Sequence, residues 1–425
     1  MLQPAPQHKY AGRIMAIVMA GGQGSRLKPL TEKRSKPAVP FGSRYRIVDF
    51  VLSNLVNSGI FAIYLLVQYK SQSLIEHIRN AWTLSPLFSN QFVTVVPPQM
   101  REGEAWFRGT ADAVCQNLNL IENLHPDLVL VFGADHIYRM DVNQMIDFHL
   151  KRQADVTVAA LPVPLEQSPN FGIIEADADG RIRDFQEKPR QATPIPGDTS
   201  RAYASMGNYL FTASSLVRAL RAAHKYGETD FGTNVLPRML KSKRLFAYDF
   251  ASNRVAGIKS YEEHAYWRDV GTIDAYFEAH RDVLGAEPRL ELFNPSWPIY
   301  SSNYQGPVAR VIGGSIENSL LGPATVVHNA RIRNSIIRRE AVIEDGADIE
   351  DCIIMDYVRV RSGARLRRTI VDRHNLIEKG LATGFDPTAD RKRYAVSPNG
   401  VVVIPRGRTP YYARENRNLG QGYSE

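Results

Sequence analysis

Four segments near the C-terminal end stack beneath one another without a gap: Ile316-Glu317-Asn318-Ser319-Leu320-Leu321, Ile332-Arg333-Asn334-Ser335-Ile336-Ile337, Ile349-Glu350-Asp351-Cys352-Ile353-Ile354 and Leu366-Arg367-Arg368-Thr369-Ile370-Val371. Their starts lie 16, 17 and 17 residues apart, and eleven residues after each start stands another aliphatic: Val327, Ile343, Val360 or Ile377. Helices repeat every 3.6 residues and single strands every two, so a period this long belongs to a unit of several short strands. It fits three strands per coil, each turning one aliphatic inward, which is a parallel β-helix. One coil buries little until another stacks on it, so the segments fold as an array. The competing reading is a β-sandwich whose spacing is coincidental.

Upstream, Pro288, Pro295 and Pro298 with the polar stretch 301–305 read as a linker. A chain of 425 residues exceeds what one ordinary core organises, so two domains are expected. Their bounds are 1–285 and 311–425, with 286–310 between them. The first part alternates apolar runs at 14–20, 62–67, 92–96, 128–133 and 156–162 with helical patterns at 48–58, 72–80, 110–123 and 142–152. That alternation predicts an α/β, Rossmann-like and mostly parallel sheet with helices on both faces. Ligands of such sheets bind beyond the carboxyl ends of the strands.

The first of these strands runs into Gly21-Gly22-Gln23-Gly24-Ser25-Arg26-Leu27-Lys28-Pro29-Leu30-Thr31. Glycines after a strand let backbone N–H groups approach a polyanion. The string is neither a Walker A loop nor a dinucleotide G-x-G-x-x-G. Arg26 and Lys36, which precedes Pro37, add positive charge where β- and γ-phosphates would sit. Asp135 follows the run 128–133 at a predicted carboxyl end, and Asp269 stands in the aromatic-rich Tyr266-Trp267-Arg268-Asp269. Two carboxylates from distant parts of a chain can hold Mg²⁺ and leave positions for phosphate oxygens. The plainer alternative has Asp135 capping a turn and Asp269 paired with Arg268.

The formal charge is +8 and the pI near 9.3, with basic residues concentrated at 33–46 and 359–373. No helix-turn-helix, zinc-finger or RNP pattern accompanies them, so small phosphorylated ligands are expected and nucleic acid is not. No segment has 18 uninterrupted apolar residues, and residues 1–12 lack the apolar core of a signal peptide, which points to the cytoplasm and away from the membrane. Cys115 and Cys352 offer neither a disulfide framework nor a zinc spacing and read as packing residues.

Residues 21–31 with Lys36-Pro37 resemble the sugar-1-phosphate nucleotidylyltransferases. Trp106-Phe107-Arg108-Gly109-Thr110-Ala111-Asp112-Ala113, Asp135-His136-Ile137-Tyr138, Phe185-Gln186-Glu187-Lys188-Pro189, Ala204-Ser205-Met206-Gly207 and Tyr266-Trp267-Arg268-Asp269-Val270-Gly271-Thr272 resemble its ADP-glucose pyrophosphorylase branch, in order along residues 14–406. The resemblance implies transfer of an adenylyl group from ATP to glucose 1-phosphate, and a left-handed coil for the β-helix. It implies a nucleotide loop at Gly21, Gly22 and Gly24, Mg²⁺ on Asp135 and Asp269, and a pyrophosphate leaving against Arg26 and Lys36. Lys188, which Pro189 restricts to an extended backbone, would grip the sugar phosphate, and Glu187 the sugar hydroxyls. Ser205, Gly207, Asp230, Phe231 and Trp267 would complete the glucose pocket, Phe231 and Trp267 as apolar faces. Gly109 and Thr110 would approach the adenine, and Gln99 would either read it or relay regulation. His136 orients its loop and is no general base, because an anionic phosphate nucleophile needs no deprotonation.

Relatives are controlled by phosphorylated metabolites bound between the two domains, which implies effector contacts from Lys33, Arg34 and Arg46 on one side and Arg373 and Arg406 on the other. A homotetramer joined through the β-helix is implied too. Three departures stand out: Phe107 replaces a tyrosine, Gly133-Ala134 replaces Ala-Gly, and Pro40 replaces a histidine of some fructose-bisphosphate-activated relatives. Rival functions are a UDP-, dTDP- or GDP-sugar pyrophosphorylase, a β-helix acyltransferase using His328 or His374, and a non-catalytic regulatory subunit.

Overall fold

The computed structural model describes residues 13–84, 91–99 and 106–408; the segment 1–12 and the tail 409–425 of the expected C-terminal unit lie outside the described residues. The strand Ile14–Met19 is central in a nine-stranded sheet, parallel to Leu128–Gly133 on one side and Ala62–Leu66 on the other, with Phe92–Val96 beyond. Its residues alternate between two cores: Ala16 and Val18 pack with Val51, Leu55 and Leu74, while Met15 and Ile17 pack with Val114, Leu216 and Leu220. Period-2 alternation with both faces covered is why this strand reads as an unbroken apolar run.

The central strands are parallel, as the alternation predicts, and antiparallel strands extend the sheet on one side. The long strand Arg201–Thr212 lies antiparallel to Leu128–Gly133, to Val156–Pro164 and to Gly172–Ala176, and Ile182–Glu187 closes the edge as an antiparallel hairpin. The helix expected over 110–123 is two helices, Thr110–Cys115 and Leu118–Leu124. The break falls where Asn117 turns its side chain back to the Ala113 carbonyl, a local bond that competes with the helical ladder. Lys188 is not extended. It has φ +46 at the end of strand Ile182–Glu187, with its N–H donating to the Phe171 carbonyl at 3.1 Å. The ladder bond to Phe171 holds the turn against the bias that Pro189 imposes.

The repeat is a parallel β-helix, not a sandwich. Ile316, Ile332, Ile349 and Leu366 stand in register on one face, and Val327, Ile343, Val360 and Ile377 on a second. Leu320, Ile336, Ile353, Ile370 and Val403 make the third face. The corners need a left-handed backbone, and Asn318, Asn334 and Asp351 supply one column at φ 44, 46 and 50, residue types that tolerate it. Asn318 and Asn334 also bond to each other at 2.8 Å.

The third face does not meet solvent. Ile336, Ile353, Ile370 and Val403 pack with Phe41, Phe50, Tyr276 and Phe277 in a core shared with the α/β unit. Cys352 lies in the coil core, and Cys115 is half-buried with its Sγ 3.7 Å from the Leu220 carbonyl. No helix among the described residues is long and apolar enough to cross a membrane.

Candidate active site

A cavity of about 880 Å³ opens at the carboxyl ends of the parallel strands, where the glycine loop leaves Ile14–Met19 and Asp135 follows Leu128–Gly133. Gly21, Gly22, Gly24, Arg26 and Lys36 line one side, and Glu187, Ser205, Gly207, Asp230 and Phe231 another. Gly24 has φ +60, and a Cβ there would come 2.9 Å from that of Lys36, so side-chain-free backbone lets the loop fold over the lysine. Gly109 is extended, and its requirement is space: a Cβ would lie 2.4 Å from the Thr229 carbonyl oxygen.

The Lys36 ammonium sits between two carboxylates, 3.0 Å from Asp135 Oδ2 and 2.8 Å from Asp269 Oδ1; Lys36 and Asp135 line the cavity and Asp269 does not. Burial disfavours the charge on Lys36, but Asp135 and Asp269 outweigh it and raise its pKa. Burial likewise opposes the charge on Asp135, yet His136 and Lys36 hold its carboxyl down at about 2. Asp269 is partnered by Lys36 and flanked by Arg26 at 4.0 Å, whereas Arg268 turns away to Glu263 and Asp282. The pairing of Asp269 with Arg268 is therefore not formed. Oxygen atoms of Asp135 and Asp269 and a ring nitrogen of His136 lie within 4.8 Å of one another. Hard carboxylate oxygens converging from two strands fit Mg²⁺.

The sugar-side residues converge only in part. Ser205 and Tyr209 flank a β-bulge in Arg201–Thr212, where Met206, Gly207 and Asn208 stand opposite the single Ala159 of Val156–Pro164, and Ser205 and Gly207 line the cavity there. Asp230 accepts from Thr110 Oγ1 at 2.8 Å and from the Thr233 N–H at 3.0 Å, tying the two walls together. Phe231 is fully buried, with its edge on the cavity. Lys188 is exposed and paired with Glu187 at 2.8 Å, and it is not among the lining residues. Trp267 is buried against His136 and Phe171 and does not line the cavity either. Gln99 folds back on the Pro97 carbonyl, outside it.

Gln68 and Tyr209 are among the lining residues that the sequence did not single out. Gln68 clamps the main chain of Phe107 from both sides, accepting from its N–H at 2.7 Å and donating to its carbonyl at 3.3 Å. Tyr209 lies beside Ser205, and burial raises its phenol to about 12, so it stays a hydrogen-bond donor. Only its place two residues after Gly207, in the alternation Ser205, Gly207, Tyr209, would have flagged it.

Between the α/β unit and the coils a second cluster forms. Arg34 pairs with Asp372, Arg373 stands 3.5 Å from Asp356, and Arg46 donates to the Ser73 carbonyl at 2.7 Å. Burial and the nearby Arg373 push the Arg46 guanidinium down to about 9, against the pull of Asp356. Lys33 and Arg406 are exposed at its flanks. Ser73 Oγ is buried there without a hydrogen-bond partner, while Arg373 Nε is the atom that faces Asp356.

A family profile described as nucleotidyl transferase matches residues 15–285, and one described as GlmU-like, C-terminal hexapeptide matches 309–404. The chain is 53% identical over 395 residues to a glucose-1-phosphate adenylyltransferase of Thermodesulfovibrio yellowstonii, covering 93% of this chain and 96% of that one. Proteins with the same description from Anaeromyxobacter sp. and Corynebacterium jeikeium are 44% and 43% identical, each over 93% of this chain and 98% of theirs.

Proposed function

From the premise that this chain belongs to the nucleotidyl transferases, and among them to the glucose-1-phosphate adenylyltransferase family, we propose how its residues divide the work. The reaction is ATP plus glucose 1-phosphate giving ADP-glucose, for glycogen synthesis, and pyrophosphate. An oxygen of the sugar phosphate attacks the α-phosphorus in line and pyrophosphate departs opposite. Such a displacement asks the protein for positioning and charge neutralisation rather than covalent chemistry. The observation that carries the reading is the ammonium of Lys36 held between Asp135 and Asp269 beneath the glycine loop.

Residues 21–24 offer backbone N–H groups to the triphosphate, and Arg26 and Lys36 neutralise the leaving pyrophosphate. Asp135 and Asp269 would hold Mg²⁺, which when bound supplies charge stabilisation to the phosphates. Glu187, Ser205, Gly207, Asp230 and Phe231 orient the glucose. Lys188, long and free to swing, reaches its phosphate, and Trp267 supports the pocket from behind through His136. Gly109 and Thr110 shape the adenine wall, and Gln68 fixes the main chain of Phe107 in it.

The arginine cluster is read as an effector site for a phosphorylated metabolite, with the buried, unpartnered Ser73 hydroxyl as a ready donor. Residues 1–285 carry the transfer, 286–310 link, and 311–425 regulate and assemble a cytoplasmic homotetramer. The test is pyrophosphate release with Mg²⁺ and glucose 1-phosphate, comparing ATP, UTP, dTTP and GTP, beside an Asp135→Ala control. Release with ATP, lost in the control, is expected. Preference for another triphosphate moves the chain to a sister specificity, and no release with any of the four sinks the catalytic reading.

A further inference from the structure

Both carboxylates of the candidate site ride on one small ribbon. Asp135 immediately precedes the strand His136–Tyr138, and Asp269 ends the strand Trp267–Asp269, with Asp269 opposite His136 and Trp267 opposite Tyr138. A ribbon of two such short strands is marginal by itself, so whatever grips it decides where the carboxylates stand.

Buried asparagines grip it. Asn208 donates to the Tyr138 hydroxyl at 3.0 Å and accepts from the Gly133 N–H at 3.3 Å. Asn54 is fully buried in the middle of helix Ile47–Asn57, a position where asparagine is a poor helix former. Its side chain donates to the Tyr138 carbonyl at 3.1 Å and accepts from the Met140 N–H at 3.0 Å and Trp297 Nε1 at 3.3 Å. Its neighbours on the helix hold other things: Ser53 accepts from the Tyr300 N–H at 2.8 Å, and Asn57 donates to the Pro298 carbonyl at 2.9 Å. The first turn of the same helix adjoins Arg46, whose N–H donates to Asp49 at 2.8 Å.

We infer that Asn54 is a positioning residue, which docks the carboxylate ribbon onto helix Ile47–Asn57 and so sets the placement of Asp135 relative to Asp269. It touches neither substrate nor metal. The inference rests on the proposed role of the two carboxylates in holding a divalent cation.

Asn54→Asp keeps an acceptor for Met140 and Trp297 but turns a buried carboxylate oxygen toward the Tyr138 carbonyl in place of the donor. Asn54→Ala is the fuller deletion. Ser53→Ala is the control, since it loosens the linker from the same helix and leaves the ribbon alone. On the full-length protein, kcat, the KM for glucose 1-phosphate, and uptake of Mn²⁺ alone, followed by loss of the free-ion paramagnetic resonance signal, are measured for each. A sub-ångström displacement of the carboxylates predicts a kcat at least about tenfold lower for both Asn54 variants. The KM stays within about twofold, because the sugar wall is untouched. Half-saturating Mn²⁺ rises about fivefold or more, since donor spacing sets affinity. Ser53→Ala matches the wild type.

Wild-type kcat and Mn²⁺ uptake in the Asn54 variants would overturn the inference. So would equal losses in Ser53→Ala, which would mean that any weakening of the helix suffices. Were the wild type to take up no Mn²⁺ while turning over, the carboxylate–metal reading would fail, and the split between kcat and KM would then decide the positioning role alone.

Discussion

Single residues at this site are set by what lies within ångströms of them. A Cβ at Gly109 would meet the Thr229 carbonyl at 2.4 Å, while one at Gly22 meets nothing within 4 Å. Gly109→Ala should therefore lower stability by about 1–3 kcal/mol, as overpacking does, and lower activity with it. Gly22→Ala should leave the melting temperature unchanged and raise only the KM for ATP, because the new methyl crowds a cavity wall. Thermal melts and initial rates on the two variants separate these outcomes.

Lys36→Met removes the charge between Asp135 and Asp269, and kcat/KM should fall about 10²–10³-fold, the scale for a lost preorganised donor. The stability gap between this variant and the wild type has its own pH dependence. The Asp135 carboxyl is depressed from 3.8 to about 2, so its contribution is full above 3.8 and disappears as pH falls through that window. Lys36 is raised above 10.5, so its contribution is full below 10.5 and disappears as pH rises through the higher folded value. The gap should be widest between these limits and narrow at both ends; melts from pH 2 to pH 11 check it. Charge and spacing made Arg26, Lys36, Asp135 and Asp269 legible in sequence. Orientation was not legible, and for that reason Trp267 turned out to face inward and Gln99 to lie off the cavity.

Among the elements, the coils were the most readable part of the chain, because each inward aliphatic recurs at the spacing of a whole turn of backbone. Ile349 stands in register between Ile332 and Leu366 and is fully buried, whereas Arg365 is exposed one position earlier. Ile349→Ala should cost about 2–5 kcal/mol by urea denaturation, and Arg365→Ala should stay within about 0.5 kcal/mol. Equal losses would mean that the coil stack is not held by its interior. The direction of strand Arg201–Thr212 was not legible, for a physical reason. Tyr203, Ser205, Gly207 and Tyr209 alternate with buried residues as in any half-buried strand, and nothing in that pattern tells antiparallel neighbours from parallel ones. Its direction comes from the turns around it and from partners that are distant in sequence.

At the scale of the molecule, the α/β unit and the coils share one apolar core, with Ile353, Met355 and Val403 packed among Phe41, Phe50 and Tyr276. A buried arginine sits at this seam. Arg338 Nη1 donates to the carbonyls of Phe41, Gly42 and Tyr45 at 3.0, 2.6 and 3.1 Å, and Nε reaches Asp356 at 3.2 Å. Asp356 is held far below the usual carboxylate range, with burial opposing and Arg338, Arg373 and Arg339 prevailing. Removing Arg338 therefore takes the shared donor from three carbonyls in a buried place and leaves Asp356 to Arg373 and Arg339 alone. Breaking a buried pair from one side typically costs about 3–5 kcal/mol. In Arg338→Met that loss falls on the seam and not on either unit's interior, so unfolding should cease to be cooperative across it. The wild type should melt in one calorimetric transition, and Arg338→Met in two. A single transition merely shifted downward would mean that the apolar part of the seam alone keeps the two units together. Because Asp356 also faces Arg373 and Arg46, the same variant should rebalance the charge of the proposed effector site. Its response to phosphorylated metabolites should then change even where the unliganded rate does not, which ties the seam that holds the molecule together to the surface that would regulate it.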